Sequence, residues 1–189
     1  MIETARLRLR DYREDDREAF AALNADPAVG RWLGGVLDRK ASDYMFERLH
    51  AHIAALGFGF WAVERKADQR FLGLVGLQTI PPDSPLPVAP AIEIGWRLTP
   101  DAWGRGYASE AACAALAWAF AHLEMDEVVG LTAAENRRSQ AVMRRIGMIR
   151  APSRDFDHPD LALDDPLLAH VVWVARRTQW RASGLPPPP

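Results

Sequence analysis

Apolar residues along this chain change period several times, and each change marks an element. Leu7 and Leu9 alternate with Arg6, Arg8 and Arg10, the two-residue period of a strand with one wet face. Asp15 to Asn24 switches to a helical period, with acidic residues in its first turn and Ala19, Phe20 and Leu23 on one side. Ser42 to Leu56 spaces Met45, Phe46, Leu49 and Ile53 three and four residues apart, an amphipathic helix stopped by Gly57. Phe58 to Glu64 and Phe71 to Ile80 are β-branched or aromatic runs split by the polar stretch Arg65 to Arg70, which predicts a hairpin-like pair, and Ala91 to Leu98 predicts the next strand.

From Tyr107 to Leu123 nearly every position is apolar and many are alanine, the pattern of a deeply buried helix packed close against a sheet. Val128 to Thr132 follows as a short buried strand, Arg137 to Ile146 as a helix stopped by Gly147, and Met148 to Arg154 and Ala169 to Arg176 as the last strands. The result is a mixed α/β chain of about seven strands and four helices. Prolines cluster at Pro81 to Pro90 and Pro186 to Pro189, which predicts a loop and a tail. No repeat or long linker divides the chain, so one domain is expected over 1–182, with a Pro-rich tail over 183–189.

Composition narrows the function without naming it. The net charge of −2 provides no global attraction to nucleic acid or to an anionic membrane, so neither is an expected partner. Cys113 is the single cysteine, which excludes an intrachain disulfide and a cysteine-based zinc site and fits a reducing, cytoplasmic setting. The longest apolar run, Ala111 to Ala121, is shorter than the roughly 17–25 residues a bilayer span needs. The N-terminus lacks the apolar stretch of a signal peptide, so export is not expected. His50 and His52 stand two apart on a helix and face different ways, and no other spacing predicts a metal site.

The chemistry-bearing segment is the strand Ile92 to Leu98, the turn Thr99 to Gly106 and the helix that Tyr107 opens. Glycines in such a turn let the backbone approach an anion, and the unpaired first-turn N–H groups of the helix bind it, with Arg105 adding charge. A bare Gly-x-Gly carries no weight, since Gly57-Phe58-Gly59 is another. Ser109 replaces the third glycine of a dinucleotide fingerprint, and a P-loop Gly-Lys-Ser/Thr is absent. A tight turn with no ligand is the bland alternative. A second constellation runs from Asn136 to Gly147. Asn136 reads as an N-cap, Val142 and Ile146 as a core face and Gly147 as a helix stop, whereas Ser139 has no evident structural duty.

Together, Pro100-x-x-Trp103-Gly104-Arg105-Gly106-Tyr107-Ala108-x-Glu110-Ala111 and Asn136-x-x-Ser139-x-x-Val142-x-x-x-Ile146-Gly147-Met148 resemble the GNAT superfamily of acetyl-CoA-dependent N-acetyltransferases. Trp103, where most of the superfamily has Gln or Arg, is similar to the Rim-type branch that acetylates ribosomal-protein N-termini. The likeness extends to Thr4 to Arg10, to Phe71 to Leu77 with Gly73 and Gly76 as strand bulges, and to Arg176 to Trp180.

The resemblance implies a GNAT-like fold whose sheet splays between the fourth and fifth strands, Ala91 to Leu98 and Val128 to Thr132. It implies that backbone groups of Trp96 and Leu98 meet pantetheine, that Trp103, Gly104, Arg105, Gly106, Tyr107, Ala108 and Ser109 form the pyrophosphate turn, and that Asn136 meets the cofactor's amide region. Arg144 and Arg145 either reach the adenosine phosphates or form a solvated basic face. It implies direct attack of an amine on the thioester, with Ser139 protonating the leaving thiolate. Glu93 is the expected base, with an outward-facing surface residue as its alternative and Asp157 and His158 as weaker candidates. The expected partners are acetyl-CoA and an amine acceptor, which is a protein N-terminus or a small molecule. The alternative function is a non-catalytic acyl-CoA sensor. Trp32, Trp173 and Trp180 suit either a homodimer face or the core.

Overall fold

The computed structural model describes residues 1–182, so the proline tail expected over 183–189 lies outside the described residues. Nine strands form one mixed sheet: β1 (Ile2–Glu3), β2 (Leu7–Arg10), β3 (Phe60–Arg65), β4 (Arg70–Ile80), β5 (Ala91–Leu98), β6 (Glu127–Ala133), β7 (Ile149–Arg150), β8 (Phe156–Asp157) and β9 (Ala169–Arg176). The helices among the described residues are α1 (Arg17–Ala25), α2 (Pro27–Gly30), α3 (Arg39–Leu56), α4 (Tyr107–His122), α5 (Arg137–Arg145) and α6 (Arg177–Ala182).

Seven expected strands become nine because β1 and β8 are two-residue pieces that neighbours recruit, too short to show a period. The expected strand Met148 to Arg154 shrinks to β7, because Pro152 lacks an N–H for the ladder and opens a 3-10 turn over Pro152–Arg154. Four expected helices become six. Helix α2 is a single turn with Pro27 in its first position and Asp26 accepting from the Ala28 N–H at 2.8 Å, and α6 follows β9 directly.

Strand order is β1-β2-β3-β4-β5-β6-β9-β7, with β8 also on β9. Every adjacent pair is antiparallel except β5 and β6, which run parallel and share a single register pair, Glu93 with Val129. On their other edges both strands are fully laddered, β5 to β4 from Gly73/Leu98 to Ile80/Ala91 and β6 to β9 from Glu127/Arg176 to Ala133/His170. The sheet therefore divides into two well-knit halves that diverge below one contact, where the sequence resemblance implied a splay. Helix α4 makes the crossover between them, and its buried alanines let it lie close to the sheet.

Core assignments settle one open alternative of the sequence pattern and depart from it at Arg10. Trp173 and Trp180 are buried, the Trp180 indole N–H donating to the Ile146 carbonyl at 3.2 Å, so neither forms an exposed dimer face; Trp32 is half-buried. On β2, Arg10 is 5% exposed rather than wet. Its guanidinium donates to Asp16 and to Glu64, each at 2.7 Å, and Arg8 and Arg13 also reach Glu64. Alternation showed which face Arg10 takes; β3 and the turn before α1 supply the carboxylates that let that face be covered. Burial pushes the Glu64 carboxyl up, but hydrogen bonds from Arg10 and Arg8 outweigh it and hold its pKa below the ordinary 4.5. That contribution to stability is present above pH 4.5 and is lost as pH falls through the depressed value.

Removing one partner of a buried ion pair leaves an uncompensated charge. Glu64→Ala is expected to cost about 3 kcal/mol of unfolding free energy, measured by urea denaturation at neutral pH.

Candidate active site

The divergence of β5 and β6 opens a cleft of about 1330 Å³. Beyond Glu93 the β5 edge from Ile94 to Leu98 has no partner strand in β6, so its backbone groups face the cleft as an unpaired sheet edge. Such an edge can take an extended, amide-bearing ligand as an added strand.

At one end of the cleft lies the turn that leads from β5 to α4. A 3-10 turn over Pro100–Ala102 brings the chain round, and the Trp103 indole N–H locks it to the strand end by donating to the Leu98 carbonyl at 2.8 Å. Gly104 and Gly106 have φ of 71° and 81°, the left-handed region, and Gly106 opens α4 with no side-chain cap. The first-turn N–H groups of α4 are thus left for a ligand. Within that turn the Ser109 Oγ is buried and has no hydrogen-bond partner. An orphaned hydroxyl beside uncapped amides suits an anion with several acceptor oxygens, such as a pyrophosphate.

The turn is braced from the N-terminal strand region. Arg6 donates from Nη1 to the Arg105 carbonyl at 3.0 Å and from Nε to Glu110 at 2.6 Å, while the Thr4 hydroxyl donates to the other Glu110 oxygen at 2.6 Å. Burial raises the Glu110 carboxyl, but bonds from Thr4 and Arg6 outweigh it, and its pKa ends below the ordinary value.

Of the residues singled out from sequence, Trp96, Leu98, Trp103, Gly104, Gly106, Tyr107, Ala108, Ser109, Asn136, Ser139 and Glu93 all line the cleft. Arg105 does not: its Nε donates to the Asp101 carbonyl in its own turn at 2.9 Å, and the side chain is exposed. Arg138 is the cation on the wall at this end, its guanidinium stacked over the Trp103 ring at 4.8 Å, and Arg48, Arg97 and Arg145 also line the cleft. Arg144 points elsewhere, over Trp173. Leu98 can offer its carbonyl only in part, since the Trp103 indole already occupies it.

The other end carries the titratable groups. Glu93 sits at the one β5–β6 contact, half-buried, and accepts from the Gln78 amide at 2.7 Å. Burial pushes its carboxyl up to about 7 despite that hydrogen bond. The outward-facing surface alternative for Glu93 is thereby removed. Facing the cleft from α5, Asn136 caps the helix by accepting from the Ser139 N–H at 3.2 Å, so Nδ2 is the donor it can offer a ligand, and Ser139 follows on the same wall.

Asp157 is exposed and off the wall, whereas His158 lines the cleft beside His170, their ring centroids 4.9 Å apart. Burial lowers the His170 pKa from 6.5. His52 lines the cleft too, and His50 is exposed. Sequence reading missed Gln78, Arg138 and His170. Gln78 stands opposite Glu93 in the β4–β5 register, a pairing that period alone does not reveal.

A family model described as Acetyltransferase (GNAT) domain matches residues 6–149. FsC-acetyl coenzyme A-N(2)-transacetylase of Aspergillus fumigatus is 28% identical over 188 residues, covering 95% of this chain and 77% of that protein. The uncharacterized protein YkkB of Bacillus subtilis is 30% identical over 148 residues, 78% of this chain and 84% of that one. Among solved structures, an acetyltransferase from Agrobacterium tumefaciens superposes with a TM-score of 0.73 at 28% identity, covering 93% of both chains. Spermidine N-acetyltransferase from Vibrio cholerae, solved with CoA and spermine, shares the fold at a TM-score of 0.72 and 16% identity, covering 93% of this chain and 98% of that one. With its splayed mixed sheet, its glycine turn and a family model spanning most of its length, the chain belongs to the GNAT acetyltransferase family, and the protein is an N-acetyltransferase.

Proposed function

We propose that the protein transfers the acetyl group of acetyl-CoA to a primary amine, with Glu93 as general base and Ser139 as the proton donor to the departing sulfur. One observation carries this reading: a carboxyl with a pKa near 7 stands in the cleft where the two halves of the sheet part. A base poised near working pH combines availability with driving force.

Bound acetyl-CoA supplies the thioester carbonyl that the amine attacks. The chain's own residues do the rest. The amides of 104–109 and the Ser109 hydroxyl hold the pyrophosphate, Arg138 adds positive charge beside it, and the open β5 edge with Asn136 Nδ2 orders the pantetheine amides. An alkylammonium titrates near 10, about three units above Glu93, so direct transfer to the carboxylate is uphill in water. Desolvation in the cleft lowers the amine's pKa, and the carboxylate takes the proton from the nitrogen as its attack on the thioester makes that nitrogen more acidic. A thiol of pKa near 8.5 leaves readily, and a single hydroxyl such as that of Ser139 is enough to protonate it.

The likeness of the Trp103 to Ala108 turn to the Rim-type branch puts a protein N-terminus among the candidate acceptors, and a spermidine N-acetyltransferase of the same fold, solved with CoA and spermine, puts a small amine beside it. The single unpaired cysteine agrees with a cytoplasmic enzyme.

The test is thiol release from acetyl-CoA across a panel of amines and peptides. Turnover with any member supports transfer; a rise in melting temperature with acetyl-CoA and no thiol release from any acceptor would favour the sensor reading.

Because Glu93 acts as its carboxylate, the wild-type rate is expected to rise with pH through about 7. Glu93→Gln is expected to lose that limb and to lower kcat by roughly 10²–10⁴. The linkage runs the other way for stability. A carboxyl whose folded pKa is raised is stabilising only while protonated, so its contribution falls as pH climbs from 4.5 through 7. Above pH 7 the Gln variant should therefore melt higher than wild type, which differential scanning calorimetry reads. Ser139→Ala is expected to lower kcat about tenfold or more, with the acetyl-CoA KM little changed; steady-state kinetics with an unchanged kcat would remove Ser139 from the chemistry.

A further inference from the structure

Arg10 is buried and Arg97 part-buried, and the two are treated in opposite ways. Arg10 is enclosed by the carboxylates of Asp16 and Glu64. Arg97, on β5, has none. Its Nη1 donates to the side-chain oxygen of Asn24 and lies 3.7 Å from the Met45 sulfur, both neutral groups, and its Nε is buried with no partner. The Tyr12 hydroxyl, which feels its field, is also buried and unpartnered. Burial pulls the Arg97 pKa below the ordinary arginine value, yet a guanidinium keeps its charge at any working pH. An uncompensated cation of this kind is costly to the fold unless something else neutralises it.

Arg97 lines the cleft. By strand alternation it shares a face of β5 with Glu93, and its contacts with Asn24 and Met45 show that this face looks toward α1 and α3. Four residues separate the two side chains, roughly 13 Å between Cα atoms, with the acid-base group at one end and the bare cation at the other. Among the described residues that line the cleft, Glu93 is the one carboxylate, against Arg48, Arg97, Arg138 and Arg145. A polycation finds little to hold it there. A carboxylate finds on the wall a guanidinium whose charge no carboxylate neutralises and whose bonded partners are neutral, a group that carboxylates pair with strongly.

We propose that the amine acceptor carries a carboxylate in the same molecule, and that Arg97 receives it while Glu93 serves the amine. This inference rests on the transfer reading for the role of Glu93, and it assigns Arg97 as the residue that selects an amino-acid-type acceptor over a plain amine or a polyamine.

The test compares α- and ω-amino acids, each paired with its carboxamide and its decarboxylated amine, with spermine as a polycation. Each is measured by turnover and by calorimetric binding to the CoA-loaded protein. In wild type the best carboxylate is expected to exceed its matched carboxamide by about tenfold or more. Arg97→Met should bring that ratio close to one, and Arg97→Lys, which keeps the charge and loses the fork, should leave an intermediate ratio. Equal handling of carboxylate and carboxamide in every pair overturns the proposal, and that comparison needs no variant to fold. A loss of acetyl-CoA affinity in Arg97→Met with the ratio unchanged also overturns it, by assigning the cation to the cofactor phosphates. Arg97-dependent carboxylate binding without thiol release from any acceptor would leave this site standing and remove the transfer reading instead.

Discussion

Everything distinctive about this molecule depends on how little β5 and β6 hold each other. Each is a full member of a ladder on its outer edge, β5 to β4 and β6 to β9, so each is committed to its own half of the sheet. Between them there is one parallel register pair. A sheet interrupted in this way forfeits backbone hydrogen bonds along the rest of the seam, and it gains a wedge whose walls are strand edges with unused amides. Helix α4, apolar on nearly every side, packs on β4 and β5 and carries the chain across to β6.

Charge is distributed around that wedge with a clear division of labour. Away from it, Glu64 and Arg10 neutralise each other in the core, and Glu110 pairs with Arg6 nearer the surface. Inside it, two groups are left in electrostatic need: Glu93, whose carboxyl is destabilised by burial, and Arg97, whose guanidinium meets only neutral partners. A chain able to build complete ion networks elsewhere keeps these two incomplete at the site. Local instability of this sort is what a group must carry if it is to exchange a proton or bind a charged ligand near neutral pH.

Much of this was legible in sequence, and the limits have a physical pattern. The alanine-rich run gave α4 almost to the residue, and Asn136, Ser139 and Gly147 marked α5 because caps and stops are local chemistry. The glycine turn was placed correctly for the same reason. What failed were statements about what stands opposite. Arg10 was expected wet because alternation reports a face and not its covering. Arg105 was expected to reach an anion, yet it folds back on the Asp101 carbonyl, and Arg138 from a different helix takes its place on the wall. For Trp173 and Trp180, which the pattern left between a dimer face and the core, the core alternative holds, with β7 and α6 too short to leave a period that would have decided it. Gln78 beside Glu93 needed the β4–β5 register.

The brace between Arg6 and Glu110 has a consequence for how the molecule comes to exist. It joins residues 104 positions apart, and through the Arg105 carbonyl it shapes the anion turn itself. Loop closure over such a distance is slow and depends on the intervening sheet being in place. The Arg6 bond to the Arg105 carbonyl exists only once the N-terminal strands have docked, so a frayed N-terminus leaves the turn without this brace. Ligand binding then selects the wholly folded chain, so that a tightly bound phosphate reports on strands at the far edge of the sheet as much as on the turn it touches.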